Sequence, residues 1–596
     1  MYNNGKDVTT RTMDNTPDPQ PWRTDTIDGM VVEWDVGIRM DDGLMLRADV
    51  FRPAARGRYP VILSYGPYAK GLPFQQGYPD QWRRLSDGHP EVLRGSTGRY
   101  QNWEVVDPEK WVPDGYVCVR VDSRGAGRSP GFLDPFSSRE TRDFFLCIEW
   151  AGERAWSNGK VGLLGISYYA INQWHVASLE PPHLTAMCPW EGAADWYRDM
   201  VRHGGIVCVF WDNWMKKQVI TVQHGLGDRG PRNPHTGQPV AGPETLSDED
   251  LAAKRADLRR AILSHPLDGA YHRERSPIWS RITTPLLSAA NWGGQGLHPR
   301  GNFEGFVRAA SPEKWLEVHG LEHWTEFYTD YGLGLQKRFF DHYLKGADNG
   351  WERQPRVHLR IRHVDRFVPR AEDAWPIPRT RWTRFYLDAT SGTLAAEEIA
   401  PTGAVDYDAL GDGVTFSTPP LAHATEITGP VASRLFVSSS TTDADVFAVL
   451  RVFEPGGREV DFQGALDPHT PIGQGWLRAS HRRLDRALST EWRPVHTHDR
   501  VEPLIPGRVY ELDVEIWPTS LVVPAGHRIA LTVLGRDFER PGAGLEIKSF
   551  VNPLRGSGPF LHDDPEDRPR AVFGGRNTIH TGGASASYLL LPVIPG

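Results

Sequence analysis

The sequence predicts an α/β domain followed by an all-β domain, and three observations support this order. Apolar strand-like runs alternate with amphipathic helical runs up to about residue 375, which favours parallel strands joined by βαβ crossovers. The segment Trp375-Pro376-Ile377-Pro378 is typical of a linker. Nearly every later segment has the period-two alternation of a strand with one wet face. At 596 residues, the chain is too long for a single core.

The α/β part begins with a hairpin, because Asp42-Gly43 supplies a turn between two strand-like runs. A helix is expected where Phe144, Ile148 and Ala151 share one face, and another directly after Ser167. The remaining α/β strands are expected at residues 59–66, 115–122, 160–167, 184–191, 283–291 and 314–319.

Residues 201–280 interrupt this alternation and are expected to form a helical insertion over the sheet. Residues 200–220 are aromatic and predicted to be helical. Residues 247–265 are also predicted to be a helix, because Ser247 is a suitable N-cap and acids follow in the first turn. After residue 375, alternating strands such as residues 508–517 predict a β-sandwich.

Composition excludes several classes of function. The net charge is −8 with acids and bases interspersed, so a nucleic-acid partner is not expected. No apolar stretch approaches the ~18 residues of a membrane span. Residues 1–22 are polar and lack the apolar region of a secretory signal, so a loose arm is expected. The four cysteines lie in apolar runs without a CxxC pair, which indicates buried thiols in the cytoplasm.

Ser167 is the candidate nucleophile. The stretch "KVGLLGISYYAINQWHVA" places it between a strand and a helix, with Gly165 two residues before it. In an α/β-hydrolase sheet such a sharp turn lifts the serine hydroxyl above the sheet edge, and the helix N-terminus offers N–H groups to an oxyanion. The usual second glycine is replaced by Tyr169. The alternative is that Ser167 only caps a helix.

These motifs resemble the CocE/NonD hydrolases, which include cocaine esterase, X-prolyl dipeptidyl peptidases and α-amino-acid ester hydrolases. "GISYYA" resembles their Gly-x-Ser-Tyr-x-Gly elbow, with Ala170 in place of the last glycine. "SYGPYAK", "VRVDSRGAGRSPG", "WPIP" and "GHRIALTV" resemble further family segments in the same order, from about residue 30 to the end.

The resemblance implies an α/β-hydrolase core with a helical cap insertion and a C-terminal all-β jelly-roll domain of galactose-binding-like type. The expected boundaries are 1–200 and 281–375 for the two parts of the core, 201–280 for the cap and 376–596 for the jelly roll.

The resemblance also implies roles for individual residues. The Tyr68 hydroxyl and the backbone N–H of Tyr168 would bind the oxyanion. His323, in the loop after the last core strand, would be the base, and His319 would be structural. The two histidines are spaced as i and i+4, but H-E-x-x-H is absent and the segment does not read as a helix, so no metal site is expected.

The family's third catalytic group is missing from its usual place. No aspartate occurs in "SAANWGGQGLHPRGNFEGF", where Gly294 and Gln295 occupy the expected position. Glu191 lies at the end of the adjacent strand and is the candidate replacement, whereas Asp195 matches an aspartate of the family and is interpreted as structural. The alternative is a neutral orienting group, either Asn291 or Gln295.

Together these features predict a serine hydrolase that cleaves a small-molecule ester or amide through an acyl-enzyme, without metal or organic cofactor. Two alternatives stay open: an aminopeptidase or acylase that cleaves amides, and an inactive hydrolase scaffold whose jelly roll binds carbohydrate. A homo-oligomer is possible. The sequence does not identify the natural substrate.

Overall fold

The computed structural model describes residues 20–595, and the expected N-terminal arm lies almost wholly outside these residues. Two large sheets organise the chain. The first has eleven strands and is formed by segments before residue 373. The second has twelve strands and is formed by segments after residue 380. Within the described part, no helix has the length and hydrophobicity needed to cross a membrane.

The first sheet has a parallel centre with antiparallel strands at both edges. Its order is β1-β2-β3-β5-β4-β6-β7-β10-β11-β12-β13, and the pairs from β5 to β12 are parallel. The strands up to residue 372, including the separate β8–β9 hairpin, are β1 (Arg23–Ile27), β2 (Met30–Arg39), β3 (Met45–Pro53), β4 (Tyr59–Gly66), β5 (Val117–Asp122), β6 (Ser157–Ile166), β7 (Leu184–Trp190), β8 (Arg202–His203), β9 (Ile206–Val207), β10 (Leu286–Asn291), β11 (Lys314–His319), β12 (Val357–Arg362) and β13 (Phe367–Glu372).

Helices cover both faces of this sheet, so its central strands are buried on both sides, as parallel strands usually are. The α-helices are α1 (Phe74–Gly77), α2 (Pro79–Gly88), α3 (Pro108–Trp111), α4 (Ser138–Gly152), α5 (Tyr168–Ala177), α6 (Phe210–Trp214), α7 (Asp248–Ala253), α8 (Leu258–Ser264), α9 (Ala270–Arg273), α10 (Pro299–Arg308), α11 (Thr325–Tyr328), α12 (Asp330–Lys345) and, in the second domain, α13 (Arg570–Phe573).

The insertion between β7 and β10 differs from the sequence prediction in its first part. A helix is expected over residues 200–220, but residues 202–207 form the β8–β9 hairpin before α6 begins. Gly204 and Gly205 have φ values of 56° and 96°, which break a helix. A Cβ at Gly204 would lie 2.0 Å from the carbonyl oxygen of Trp476, so the glycine also lets the hairpin dock on the second domain.

The helix predicted over residues 247–265 is interrupted. The backbone of Leu133 accepts a hydrogen bond from Ala256 N and donates one to Lys254 O, both at 2.9 Å, and this pairing ends α7. Asp257 then caps α8 by accepting from the backbone N–H of Arg260. The tertiary contact with Leu133 therefore overrides a locally helical sequence.

The second domain is built almost entirely from antiparallel strands around its own core. Residues 510–517 of the alternating strand predicted at residues 508–517 lie within β22, which pairs with β18 over most of its length. The strands are β14 (Arg381–Asp388), β15 (Thr393–Ala395), β16 (Gly403–Asp408), β17 (Val414–Ser417), β18 (Thr425–Ser439), β19 (Asp445–Phe453), β20 (Glu459–Val460), β21 (Gly473–Arg478), β22 (Tyr510–Val523), β23 (Arg528–Leu534), β24 (Arg576–Thr581) and β25 (Tyr588–Ile594).

One loop of the β domain is hydrogen-bonded to the two loops that follow β10 and β11. Ala465 N donates to Gly293 O at 3.0 Å, and Ala465 O accepts from His323 N at 2.8 Å. A Cβ at Gly293 would lie 2.4 Å from the Cα of Gly464, so the two backbones are in close contact. The β domain therefore fixes loops at the carboxyl edge of the first sheet, where ligands of open α/β sheets usually bind.

Candidate active site

Ser167 occupies a strained turn between β6 and α5. Its backbone has φ 76° and ψ −102°, a conformation that costs on the order of 1–3 kcal/mol for a residue with a side chain. A Cβ at Gly165 would lie 2.4 Å from Cβ of Tyr169, so the turn leaves no room for a side chain two residues before the serine. The strand–turn–helix geometry expected from the sequence is present, and the bulky Tyr169 is accommodated by this glycine.

The hydroxyl of Ser167 is hydrogen-bonded to His298, a residue that the sequence analysis did not select. Ser167 Oγ and His298 Nε2 are 3.0 Å apart. His298 lies in the loop after β10, immediately before α10, and is only 2% exposed. The sequence does offer a signal for His298, because it lies in the loop where the resemblance places an aspartate. It was not selected because it lies beyond Gly294 and Gln295, the positions expected for that aspartate.

His323 lies beside this pair but has other hydrogen-bond partners. Its Nδ1 is 2.9 Å from Glu191 Oε2, and its Nε2 is 2.8 Å from Glu104 Oε1. The imidazole rings of His298 and His323 are stacked, with centroids 4.8 Å apart and planes 9° from parallel. Among the described residues, His323 has no hydrogen bond to Ser167. The structure thus brings the predicted serine, histidine and glutamate into one cluster with His298 between the serine and the glutamate.

Glu191 is buried at the end of β7 and binds two imidazoles. Its Oε1 lies 2.9 Å from His319 Nε2 and accepts from Asn291 Nδ2 at 3.1 Å. His319 Nδ1 is in turn 2.6 Å from Glu317 Oε2. Asn291 therefore contacts the carboxylate rather than an imidazole.

Gln295, the other neutral candidate, is hydrogen-bonded to the backbone oxygens of Trp292 and Pro518. Its side-chain amide is thus engaged at the boundary between the two domains. None of its described hydrogen bonds reaches His298 or His323.

Burial and neighbouring charges set opposite protonation states for the two stacked histidines. Burial lowers the pKa of His323, but the Glu191 and Glu104 carboxylates outweigh it and raise the pKa to about 9. Burial and the neighbouring His323 lower the pKa of His298 to about 3. Burial raises the pKa of Glu191, but His323 and His319 hold it well below its usual range. These shifts favour the protonated form of His323, the neutral form of His298 and the ionised form of Glu191.

Glu104 is held against the nucleophile strand by its backbone. Its carbonyl oxygen accepts from Ile166 N at 3.0 Å, and its φ is 63°, in the left-handed region. Burial raises the pKa of Glu104 to about 7, although His323 lowers it. The backbone hydrogen bond to Ile166 places Glu104 next to the turn that carries Ser167.

Tyr68 and Tyr168, the two residues expected to bind an oxyanion, line the same cavity as Ser167. The Tyr68 oxygen accepts a hydrogen bond from Trp214 Nε1 at 2.9 Å, which leaves its proton free to be donated. Burial raises the pKa of Tyr68 well above its usual value, so the hydroxyl keeps that proton. Tyr168 is the first residue of α5, and its backbone N–H has no partner within the helix. The Tyr168 hydroxyl faces away and donates to Glu140 at 2.6 Å.

Ser167 opens into a cavity of about 390 Å³. Half of its lining residues are phenylalanine, tyrosine or tryptophan, and the β domain contributes Leu466 and Phe550. The lining residues are Tyr68, Trp103, Glu104, Ser167, Tyr168, Phe210, Trp211, Trp214, Gln218, Leu297, His298, His323, Leu466 and Phe550.

Two groups of side chains have the residue types of a metal site. Glu191, His298 and His323 bring potential ligand atoms within 4.8 Å of one another, as do His203, Cys208 and His562. In the first group, His323 Nδ1 is already hydrogen-bonded to Glu191, and in the second, His203 Nδ1 lies 2.8 Å from His562 Nε2. One pair of side chains in each group is therefore hydrogen-bonded.

Comparison with known proteins identifies the same two domains. Residues 42–325 match the X-Pro dipeptidyl-peptidase (S15 family) model, and residues 349–590 match the model of the X-Pro dipeptidyl-peptidase C-terminal non-catalytic domain. The cocaine esterase of Rhodococcus sp. is 26% identical, over 94% of this chain and 98% of that protein. A putative serine esterase of Mycobacterium bovis is 25% identical, over 87% of this chain and 93% of that protein.

A crystal structure of a CocE/NonD family hydrolase from Staphylococcus aureus superposes over nearly the whole chain. Its TM-score is 0.82 at 32% sequence identity, and the match covers 99% of each chain. The α/β-hydrolase core, the β domain and the serine at the strained turn agree with this similarity. The chain therefore belongs to the CocE/NonD family and is a serine hydrolase.

Proposed function

We propose that this protein cleaves a small-molecule carboxylic ester through an acyl-enzyme, with Ser167 as the nucleophile and His298 as the base. The 3.0 Å contact between Ser167 Oγ and His298 Nε2 carries this proposal. A neutral imidazole at hydrogen-bond distance from a serine hydroxyl can accept its proton when the oxygen attacks a carbonyl carbon.

In the acylation step, Ser167 Oγ bonds to the carbonyl carbon while its proton moves to His298 Nε2. Tyr68 and the Tyr168 backbone N–H donate hydrogen bonds to the carbonyl oxygen, which becomes negative in the tetrahedral intermediate. His298 then gives the proton to the leaving alcohol as the carbon–oxygen bond breaks. Water repeats the sequence on the acyl-enzyme, and the carboxylic acid leaves.

His323, expected from the sequence to be the base, stands as the competing assignment. Glu191 is hydrogen-bonded to its Nδ1, as the third group of a triad would be, but Glu104 occupies its Nε2. With both nitrogens hydrogen-bonded to carboxyl groups, His323 presents no free lone pair to the serine proton. The hydrogen bond between His323 Nε2 and Glu104 therefore favours His298 as the base in the proposed reaction.

The aromatic cavity supports a substrate with an apolar acyl or alcohol part. Half of the residues that line it are phenylalanine, tyrosine or tryptophan, and aromatic linings are common in small-ligand sites. The insertion contributes Phe210, Trp211 and Trp214, and the β domain contributes Leu466 and Phe550. An ester is the simpler substrate because its carbonyl group is less stabilised by resonance than that of an amide, and amides are the second candidate class.

An organophosphonate probe tests the proposal. The parent protein should be labelled at Ser167, as peptide mass spectrometry would show, and should hydrolyse p-nitrophenyl esters. Ser167→Ala should lose both the label and ~10³-fold or more of kcat. Ser157→Ala, at a buried serine on the same strand, is the matched control and should keep the label. An unlabelled, inactive but folded parent would instead indicate an inactive scaffold.

Finer expectations from the sequence complete this proposal. We retain the jelly-roll topology of the β domain, the domain boundaries at residues 200, 280 and 375, and the possible homo-oligomer as predictions. A cytoplasmic location is supported by four cysteines that are all buried and unpaired.

A further inference from the structure

We propose that His203, Cys208 and His562 form a buried site for a zinc ion that joins the insertion to the β domain. His203 ends β8 and Cys208 follows β9, whereas His562 lies in the loop between β23 and α13. None of the three lines the cavity of Ser167. The ion would therefore serve the structure and take no part in acyl transfer.

The three side chains converge at a buried point between the two domains. Each is at most 1% exposed, and their potential ligand atoms all lie within 4.8 Å of one another. Imidazole nitrogen and thiolate sulfur are ligands that suit Zn²⁺ in proteins. The backbones that carry the thiol and the second imidazole are joined, because Val209 N donates to Leu561 O at 2.9 Å.

The outer nitrogen of each imidazole faces an acceptor and must carry a proton. His203 Nε2 lies 3.1 Å from the backbone oxygen of Asp199, and a carbonyl oxygen can only accept. His562 Nδ1 lies 2.8 Å from Asp537 Oδ1, and the same carboxylate accepts from the backbone N–H of His562 at 2.6 Å. A carboxylate or carbonyl at the outer nitrogen is typical of a histidine that binds a metal through its other nitrogen.

The inner nitrogens consequently face each other. His203 Nδ1 and His562 Nε2 are 2.8 Å apart, and in two neutral rings both atoms would present lone pairs. Either one buried imidazolium or one metal ion that accepts both lone pairs resolves this contact. Two nitrogens of one tetrahedral zinc lie about 3.4 Å apart, because each Zn–N bond is about 2.0–2.1 Å long, so a shift of about half an ångström would admit the ion.

The charges around the cluster match a divalent cation. A metal ion deprotonates a thiol that binds it, so Cys208 would supply one negative charge. The Asp537 carboxylate behind His562 supplies a second. The positive charge of Arg300 also acts on His203, but its guanidinium is already paired with two carboxylates.

The ion would fix one wall of the active-site cavity. Phe210 lies two residues after Cys208 and lines the cavity of Ser167. Phe560 lies two residues before His562, and the rings of Phe210 and Phe560 are in contact, with centroids 5.0 Å apart. Zinc should therefore stabilise the folded protein at the junction of its two domains.

The zinc content of the full chain tests the proposal. Each protein is stripped with a chelator under reducing conditions, incubated with ZnCl₂, desalted and measured by inductively coupled plasma mass spectrometry. The parent should retain one zinc per chain more than Cys208→Ala, and zinc should raise the Tm of the parent alone by about 2 °C or more. Cys118→Ala, at a buried cysteine on β5 outside the cluster, is the matched control and should behave like the parent.

Zinc bound by the group of Glu191, His298 and His323 must be told apart from this site. His298→Asn should keep the zinc that Cys208→Ala loses. Equal zinc contents in the parent and in Cys208→Ala would overturn the proposal, and so would a parent that retains no zinc.

X-ray absorption spectroscopy of the zinc-loaded parent requires no variant. The spectrum should show one sulfur at about 2.3 Å and nitrogens at about 2.0–2.1 Å from the zinc. A zinc shell without sulfur would overturn the proposal even if the variants fail to fold. The contact between His203 and His562 would then belong to a buried imidazolium.

Discussion

Glu191 Oε2 lies 2.9 Å from Nδ1 of His323, and these two residues are 132 positions apart in the chain. Glu191 stands at the end of β7 with a φ of 51°, in the left-handed region. The strain and the complete burial of this carboxylate are offset by two imidazoles, which hold its charge in place. We therefore retain the prediction that Glu191 takes the place of the acid that the resemblance expects in the loop after the neighbouring strand.

Glu191→Gln should lower kcat by at least ~10²-fold with a smaller change in KM. The amide keeps the shape of the side chain but removes the anion next to His298 and His323, so neither imidazolium is stabilised. Stopped-flow kinetics with a p-nitrophenyl ester would measure both constants. Glu322→Gln, in the loop that carries His323, is the control. Kinetics like those of the parent would transfer the role to Asn291.

The folded protein should lose stability as the pH rises from about 6.5 to 9. The pKa of His323 is raised to about 9 in the folded protein, above that of an unfolded histidine, so its contribution is complete below about pH 6.5 and disappears through pH 9. Urea unfolding at several pH values would measure this loss. In His323→Gln the decline over this range should be smaller, and an identical decline would assign it to other groups.

His298→Asn should reduce kcat by ~10³-fold or more, because the serine loses its proton acceptor. The variant should still bind a non-hydrolysable ester analogue, since His298 is only one part of the cavity wall. Isothermal titration with that analogue would separate binding from chemistry. If His298→Asn kept most of its activity while His323→Asn lost it, the base would be His323, as the sequence predicted.

Tyr68→Phe should lower kcat by ~10²-fold or more and leave KM nearly unchanged. The hydroxyl is expected to bind a charge that exists only in the transition state. Trp214→Phe removes the N–H that orients this hydroxyl at 2.9 Å, and should change kcat in the same direction but less. A change confined to KM in Tyr68→Phe would make the tyrosine a ground-state contact.

The truncated chain 1–375 should be poorly soluble and inactive. Removing the β domain deletes Ala465, whose backbone is hydrogen-bonded to the loops of Gly293 and His323, and exposes the apolar surface beneath Leu466 and Phe550. Size-exclusion chromatography and an esterase assay would test this. A monodisperse, active fragment would show that the β domain does not organise the site.

Local patterns in the sequence predicted the strands and singled out Ser167 as the candidate nucleophile. Alternating or continuous apolar runs located the strands of both sheets, such as β6 and β22. The spacing of apolar residues along a strand indicates whether one or both of its faces are buried. Gly165 and Ser167 identified the elbow because a strained turn needs a glycine within a few residues. The order of the family motifs then identified the two domains, which the comparisons confirmed.

Contacts between distant segments were decided only by the tertiary structure. The His298–Ser167 hydrogen bond joins residues 131 positions apart, and no local pattern records which loop reaches the serine. The same holds for Leu133, which interrupts a helix that its own sequence favours, and for the two carboxylates that hold His323. Protonation states follow from burial and from the charges that surround each group, and both exist only once the chain has folded.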